Sequence, residues 1–369
     1  MAQQTRWVIV GAGFAGAATA WALSRAGLGP GLILEQEPSF GMHASGRNAA
    51  LVKLSEGDPI IRTLAKRGLR GMRSLESPGA PLLNQTGGLA VASSDSSAHE
   101  LEEFQHALAT EGVPSRLLPF DRARREWPFL ELLDFQSALW CPDEGVADIH
   151  ALLVRYLEGA REGGFRLRTN TRVDDLVMER GRAVGVLIGD DEIRADTIVD
   201  ASGAWAGQLG RASAPLGLTP MRRHLFVSGP VDFVRGDLPF TWLEDAALYF
   251  RPEGDGLLLS PCDETPMPPG LPSTDPAAAE LLAEKLGRSA SRLGDLAIRR
   301  SWACLRTFAP DRRPLIGSDP QLPGLFHVSG LGGFGMMCSA AVGELAASLL
   351  SGQPADWIDA AAVTPGRVI

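Results

Sequence analysis

The chain has 369 residues, of which 45% are apolar and 21% charged, a composition typical of a globular protein large enough for two domains. The formal net charge is −9, and the sequence contains no block of basic residues that could bind a nucleic-acid backbone. We therefore expect no nucleic-acid partner. The apolar runs are shorter than the roughly 20 residues that cross a bilayer, and the first residues do not resemble a secretion signal. We therefore expect a cytoplasmic protein without a membrane span.

The spacing of cysteines and histidines gives no sign of a metal centre. The four cysteines form no CxxC motif, and the six histidines form no HxxxH or HExxH pair. The sequence therefore predicts no metal and no disulfide framework, which fits a reducing compartment.

The first predicted element is a strand over residues 7–10 that runs directly into a GxGxxG turn. In such a turn Gly11 permits the tight bend, Gly13 lets a pyrophosphate approach the backbone, and Gly16 lets the following helix pack closely. That helix is predicted over 17–25.

A second strand over 32–34 ends at Glu35, where a carboxylate can accept hydrogen bonds from ribose hydroxyls. A dinucleotide site is predicted, because a strand, a glycine turn, a helix, a second strand and an acidic residue follow one another in this order. The carboxylate of Glu35 disfavours NADP and suits NAD and FAD equally. The cofactor-binding candidates of this unit are Gly11, Gly13, Phe14, Ala15, Gly16, Glu35 and Gln36.

Short strands are predicted in the middle of the chain over 165–169, 176–179 and 183–188, and a further strand over 197–201 leads into a glycine turn. Such a meander is typical of two-dinucleotide-binding flavoproteins. The cofactor candidates here are Val173, Ala201, Ser202, Gly203 and Trp205.

Near the end of the chain, a strand over 325–329 precedes a glycine loop over 330–335 and a helix over 337–350. Amide donors of such a loop lie at a helix N-terminus, where they stabilise an anion such as reduced flavin. The candidates in this loop are Gly332, Gly333, Phe334, Gly335, Met336 and Met337.

The whole chain resembles the D-amino acid oxidase family of FAD enzymes, which includes glycine oxidase and monomeric sarcosine oxidase, and within it the D-arginine dehydrogenases most. The matching stretches are GAGFAGAATAWAL, HASGRNAA, DASGAW, LGLTPMRR, LYFRP, WACLRTFAPDRRPLIG and GGFGMMCSAAVGE. The resemblance implies an α/β protein with an FAD-binding Rossmann-like domain and an inserted substrate domain of antiparallel sheet plus helices. The FAD domain would comprise 1–80, 146–217 and 301–369, and the substrate domain 81–145 and 218–300.

The segment 43–50 is expected from this resemblance to line the pyrophosphate and ring edge of the flavin, although a surface turn is the alternative. His43 could take a proton from the substrate or pack against the flavin, so no general base is assigned. The candidates of this segment are His43, Ser45, Gly46, Arg47, Asn48, Ala49 and Ala50.

Three catalytic candidates follow from the same resemblance. Arg223 and Arg306 stand where the D-arginine dehydrogenases bind the substrate carboxylate, and Tyr249 matches a tyrosine that adds a hydroxyl donor. A guanidinium suits a carboxylate because it donates two parallel hydrogen bonds. Arg222 is the alternative to Arg223 for binding the carboxylate. Successive strand residues face opposite sides, so only one of the two can point into the pocket.

The implied reaction oxidises the Cα–N bond of a small amino acid, which would be a D-amino acid, glycine or an N-methyl amino acid. Hydride would pass to flavin N5, and the imino acid would hydrolyse to a keto acid. Two alternatives stay open: a flavin-dependent 2-hydroxy acid dehydrogenase, because HASGRN also resembles the HxTGxN stretch of such enzymes, and a flavin-binding subunit of a heteromeric dehydrogenase.

Departures from the family pattern affect the flavin linkage, the substrate and the acceptor. Cys304 lies where monomeric sarcosine oxidase attaches its flavin, yet we expect non-covalent FAD, with a thioether as the alternative. Gly88, Leu51 and Glu56 replace the residues that recognise arginine, so arginine is not the predicted substrate. Leu258 replaces a lysine that activates oxygen, which favours a dehydrogenase. Oxygen, a quinone or the respiratory chain remain open as acceptors.

Overall fold

A computed structural model gives the fold of residues 3–209 and 216–368. The strands, in chain order, are β1 (Gln3–Val10), β2 (Gly31–Leu34), β3 (Leu51–Val52), β4 (Leu83–Asn84), β5 (Gly88–Ala92), β6 (Arg116–Pro119), β7 (Ser137–Cys141), β8 (Gly145–Ala147), β9 (Arg166–Arg168), β10 (Asp175–Glu179), β11 (Arg182–Ile188), β12 (Asp191–Asp200), β13 (Thr219–Ser228), β14 (Phe240–Leu243), β15 (Leu248–Glu253), β16 (Gly256–Ser260), β17 (Thr265–Pro266), β18 (Ile298–Phe308), β19 (Leu315–Ser318) and β20 (Leu325–Ser329). The α-helices are α1 (Phe14–Arg25), α2 (Pro59–Ser74), α3 (Asp95–Thr110), α4 (Phe120–Glu126), α5 (Ile149–Glu162), α6 (Pro276–Ser289) and α7 (Ser339–Leu350).

The first sheet is built around β1, which pairs in parallel with β2 on one side and with β12 on the other. β9 extends the sheet beyond β2, and β20 pairs in parallel with β12. This is the parallel arrangement that a dinucleotide-binding unit requires, so the predicted fold class is confirmed. α1 begins at Phe14 rather than at residue 17 because Gly13 takes the N-cap position.

The predicted meander exists for β10, β11 and β12, which pair antiparallel in that order. The strand predicted over 165–169 lies elsewhere, because it is β9 and pairs in parallel with β2. A local hydrophobic pattern indicates that a strand forms but carries no information on which strand it joins.

The second sheet has the order β17-β13-β16-β15-β14-β5-β7-β6, with β18 beside β13. β18 pairs antiparallel with β13 over almost its whole length, so that Arg306 lies opposite Met221 and Cys304 opposite Arg223. The domain boundary predicted between residues 300 and 301 falls inside β18. The predicted division into domains stays a prediction.

Two large hydrophobic clusters fill the interior, and the first of them joins the first sheet to β5 and β7 of the second. Helices α1, α2, α5 and α7 contribute to the cluster that covers one face of the first sheet. The second large hydrophobic cluster lies between the second sheet and α6. None of the helices described is long and apolar enough to cross a membrane.

Candidate active site

The first cavity lies at the carboxyl ends of β1, β2 and β12, where ligands bind in parallel sheets. We call it the cofactor cavity. The predicted cofactor residues that line it are Gly11, Gly13, Phe14, Ala15, Glu35, Gln36, His43, Ser45, Arg47, Asn48, Val173, Ala201, Ser202, Gly203, Trp205, Gly332, Gly333, Gly335 and Met336.

Six other predicted cofactor residues lie outside this lining. Gly16 and Gly46 support the turns behind it, and a Cβ atom at Gly16 would lie 2.0 Å from the carbonyl oxygen of Gly11. Ala49, Ala50, Phe334 and Met337 line the second cavity instead.

The glycine turn after β1 has the conformation that the motif predicts. Gly11 has φ +104°, and a Cβ atom there would lie 2.5 Å from the carbonyl oxygen of Ala201. Only glycine fits such a position. Glu35 receives hydrogen bonds from the amides of Ala12 at 2.9 Å and Glu37 at 3.0 Å, so its carboxylate is held at the edge of the cavity.

Backbone donors in the cofactor cavity have no acceptor within the part of the chain that the structure describes. They are the amides of Gly13 before α1 and of Gly333, Gly335 and Met336 before α7. Neither helix has a side-chain cap. Free amides at two helix N-termini suit anionic groups, so these residues fit the pyrophosphate and the anionic reduced flavin of FAD.

The segment 43–50 connects the cofactor cavity with the second cavity. Ser45 Oγ accepts a hydrogen bond from the Phe14 amide at 3.0 Å. His43 lies 2.9 Å from Glu37 Oε1 and packs edge-on against Trp205, with 4.8 Å between the ring centroids. These contacts hold His43 in the lining of the cofactor cavity.

The second cavity adjoins the first, because Asn48, Arg306, Gly333 and Met336 line both. We call it the substrate cavity. It is also lined by Lys53, Glu56, Arg223, Trp242, Tyr249, Cys262, Glu264 and Arg312. The three predicted catalytic residues therefore meet in one cavity.

Arg306 stands out because its side chain is buried without a partner. The residue is 6% exposed, and its side chain forms no hydrogen bond or ion pair with any described residue. A buried guanidinium of this kind carries an uncompensated desolvation cost. An anion entering the substrate cavity would remove that cost.

Arg223 also points into the substrate cavity but already has partners. Its Nε donates to the carbonyl oxygen of Asp263 at 2.9 Å, and its Nη2 pairs with Glu264 at 2.7 Å. Arg222 points away and pairs with Asp275 at 2.5 Å. This placement agrees with the expectation that only one of the two arginines faces the pocket.

Tyr249 supplies a neutral hydroxyl in the same cavity. Burial raises the pKa of Tyr249 to about 12, although Arg306 and Arg223 oppose that shift. The hydroxyl therefore keeps its proton at neutral pH and can donate. Its ring stacks on Trp242 with 5.1 Å between centroids, which fixes the orientation of the phenol.

Lys53 and Glu56 line the substrate cavity, and the buried carboxylate of Glu144 lies near Lys53 outside that lining. Lys53 lies 3.3 Å from Glu56 and 5.1 Å from the centroid of Trp242. Burial raises the pKa of Glu144 to about 7, with Lys53 opposing the shift. Gly88 makes room for this carboxylate, because a Cβ atom there would lie 2.0 Å from Glu144 Oε2.

Several lining residues escaped the sequence prediction. Thr171, Arg172 and Asp174 line the cofactor cavity after β9, and Glu264 and Arg312 line the substrate cavity. The first three could have been found if β9 had been placed beside β2, because ligands bind at the carboxyl ends of parallel strands. No motif in the sequence predicts that Glu264 and Arg312 lie close together.

A buried histidine supports the floor of the cofactor cavity. His327 Nε2 lies 2.8 Å from Asp319, and its Nδ1 lies 3.6 Å from Asp200 at the end of β12. Asp200 also accepts hydrogen bonds from the amides of Ser202 and Gly207. Burial opposes a charge on His327, but the two carboxylates outweigh it and raise the pKa of His327 to about 9.

We expect the free energy of unfolding to fall as the pH rises above 6.5. The charged His327, with a folded pKa of about 9, contributes about 3 kcal/mol below the unfolded pKa of roughly 6.5 and nothing above the folded value. Urea unfolding of the holoenzyme at about pH 6 and about pH 10 measures the loss. The variant His327→Gln should lack it, and an equal loss in that variant would contradict the assignment.

A family model described as FAD dependent oxidoreductase matches residues 6–349. Among curated proteins, 4-methylaminobutanoate oxidase (formaldehyde-forming) of Paenarthrobacter nicotinovorans is 27% identical over 364 residues, which are 95% of this chain and 44% of that protein. The chain spans about two fifths of the length of the curated relatives it matches.

Two solved structures show the same fold. L-proline dehydrogenase of P. horikoshii has a TM-score of 0.87 and 21% identity, covering 100% of this chain and 98% of that one. Iminodiacetate oxidase of Chelativorans sp. BNC1 has a TM-score of 0.78 and 26% identity, covering 98% of this chain and 99% of that one. None of these proteins is a D-arginine dehydrogenase, so the predicted resemblance of this chain to the D-arginine dehydrogenases stays a prediction.

The family match extends over most of the chain, and the free amides of the cofactor cavity suit an anionic dinucleotide. As predicted from the sequence, this chain belongs to the family of FAD-dependent oxidoreductases, and its cofactor is FAD.

Proposed function

We propose that this protein oxidises the Cα–N bond of a small amino acid, which would be a D-amino acid, glycine or an N-methyl amino acid. The observation that carries the proposal is Arg306, a buried guanidinium that pairs with no described residue where the substrate and cofactor cavities meet. A carboxylate is the anion that pairs best with a planar guanidinium, because two parallel hydrogen bonds form. The substrate would therefore bind by its carboxylate.

The other polar groups of the substrate cavity would orient the bound amino acid. Tyr249 donates its hydroxyl hydrogen to the carboxylate, and Arg223 contributes a positive charge that Glu264 partly neutralises. Such fixed donors position the Cα–H bond and exclude water, and positioning supplies much of the rate enhancement. FAD, when bound in the adjoining cavity, supplies the oxidising group that accepts the hydride.

The direct test of the reaction is anaerobic reduction of the bound flavin. Purified holoenzyme is mixed with D-amino acids, glycine and N-methyl amino acids, and separately with 2-hydroxy acids of the same chain lengths. L-proline and iminodiacetate belong in the panel, because similar proteins are named for them. Loss of the visible flavin absorbance reports the oxidation.

The panels separate the proposed reaction from its alternatives. Bleaching by amino acids, with release of a keto acid, supports the proposal. Bleaching only by hydroxy acids would identify a 2-hydroxy acid dehydrogenase instead. Bleaching by neither would contradict the proposal and favour a flavin-binding subunit that needs a partner. Repeating the oxidation with oxygen or a quinone identifies the acceptor. The preference for a dehydrogenase rests on the sequence position of Leu258, which is 1% exposed and lines neither cavity.

We expect FAD to be bound without a covalent link. Cys304 lines the cofactor cavity, but it is only 1% exposed, and its Sγ lies 3.8 Å from the carbonyl oxygen of Arg223 on the neighbouring strand, where it packs as a small buried residue. Acid precipitation should therefore leave the yellow colour in the supernatant. Colour retained in the pellet, and released from a Cys304→Ser variant, would instead show the thioether that Cys304 could form.

A further inference from the structure

A proline-rich loop over residues 261–276 leads from the end of β16 to the first residue of α6, includes the short strand β17 and contains none of the predicted site residues. We call it the clasp loop. Near its start, Cys262 and Glu264 line the substrate cavity. Near its middle, Gly270, Leu271 and Pro272 line the cofactor cavity. One short segment thus reaches both cavities.

The two ends of the clasp loop are fastened to one histidine of β13. His224 is fully buried, its Nδ1 lies 2.7 Å from Asp263 Oδ2, and its Nε2 accepts a hydrogen bond from the Asp275 amide at 2.9 Å. Because Nε2 accepts, the ring hydrogen lies on Nδ1 and is donated to Asp263. Arg222 of the same strand pairs with the Asp275 side chain. These contacts close the segment into a compact loop with fixed ends.

The middle of the clasp loop presents an apolar side chain to water. Leu271 is 56% exposed, more than any other large apolar residue described. Pro268, Pro269 and Pro272 flank it and restrict the backbone. The leucine is therefore held at the edge of the cofactor cavity although few protein groups pack against it. An apolar side chain held in this way favours a ligand that covers it.

We propose that Leu271 contacts FAD in the cofactor cavity and that the clasp loop retains the cofactor through this contact. The occupant is FAD because the family identifies the cofactor and Leu271 lines the same cavity as the glycine turn. The aromatic rings of FAD offer the apolar surface that a leucine can cover. This inference depends on FAD binding and is independent of which substrate the enzyme oxidises.

The test compares Leu271→Ser with the matched variant Ile298→Ser. Ile298 is 43% exposed and lines neither cavity, so its replacement controls for the loss of an exposed apolar side chain. Holoenzyme is diluted, and the fluorescence of released FAD is followed with time. We expect FAD release to be about five- to tenfold faster for Leu271→Ser and unchanged for Ile298→Ser. The expected factor corresponds to the free energy lost when roughly half of a leucine side chain is no longer covered by the cofactor.

Hydrogen exchange gives a second readout that does not require FAD to leave. The peptide containing Leu271 is compared between the wild-type and Leu271→Ser holoenzymes, and faster exchange in the variant is expected if the contact holds the loop. Equal release and equal exchange in the two proteins would overturn the inference. A failure of all amino acids to bleach the flavin would overturn the proposed reaction alone, so the two failures are distinguishable.

Discussion

Replacing Arg306 with glutamine is expected to raise the KM of the best amino acid substrate by roughly 100-fold, because losing the charged partner of a buried carboxylate costs about 2 to 5 kcal/mol. The side chain has no hydrogen-bond or ion-pair partner among residues 3–209 and 216–368, so its removal leaves none of their groups unpaired. The thermal stability of the variant should therefore equal or exceed that of the wild type, since an unpaired buried charge destabilises the fold.

The matched control for this prediction lies on the same strand. Arg299 is in β18, its side chain is 54% exposed, and it pairs with Asp255 at the surface. Arg299→Gln should change KM by less than about twofold, because exposed ion pairs contribute little. Steady-state kinetics with the fastest amino acid of the panel measure both variants. Similar KM values for Arg306→Gln and Arg299→Gln would show that the carboxylate binds elsewhere.

Replacing Gly13 with alanine is expected to yield protein purified with little or no FAD. A Cβ atom at Gly13 would meet only the Ser45 side chain, with Oγ at 2.8 Å, so that side chain must shift from its hydrogen bond with the Phe14 amide while no backbone atom is displaced. The added methyl group would lie where the pyrophosphate approaches the turn, and it would block contact with the free amide of Gly13. The flavin-to-protein absorbance ratio of the purified protein measures the loss.

Gly287→Ala is the control for this substitution. Gly287 lies in α6, and a Cβ atom there meets nothing within 4 Å. This variant should bind FAD fully and be slightly more stable, because alanine favours a helix over glycine by about 1 kcal/mol. If Gly13→Ala carries as much FAD as Gly287→Ala, the glycine turn does not hold the pyrophosphate.

The cofactor unit could be predicted from the sequence because its signals are local. The strand, the glycine turn and Glu35 lie within one short stretch, and each residue's role follows from backbone geometry. The place of Gly11 against Ala201 follows once both strands are recognised. The strand predicted over 165–169 pairs with β2 and not with the meander, because the rest of the sheet decides which strands pair.

The substrate cavity was predictable only through the family resemblance. Arg223 and Arg306 belong to different strands, and nothing in their local sequence shows that β13 pairs with β18. Glu144 receives hydrogen bonds from the amides of Leu54 and Ser55, about 90 residues away, so its burial beside Lys53 had no local signal. Long-range partners of this kind are set by tertiary packing.

The account depends most on a carboxylate binding at Arg306 beside the flavin. Titration of the holoenzyme with propionate, a carboxylate that has no amine to oxidise, tests this directly through the visible spectrum of the flavin. We expect a saturable spectral change in the wild type, and the same change only at roughly 100-fold higher propionate in Arg306→Gln. An unperturbed wild-type spectrum, or equal titration of both proteins, would contradict the account.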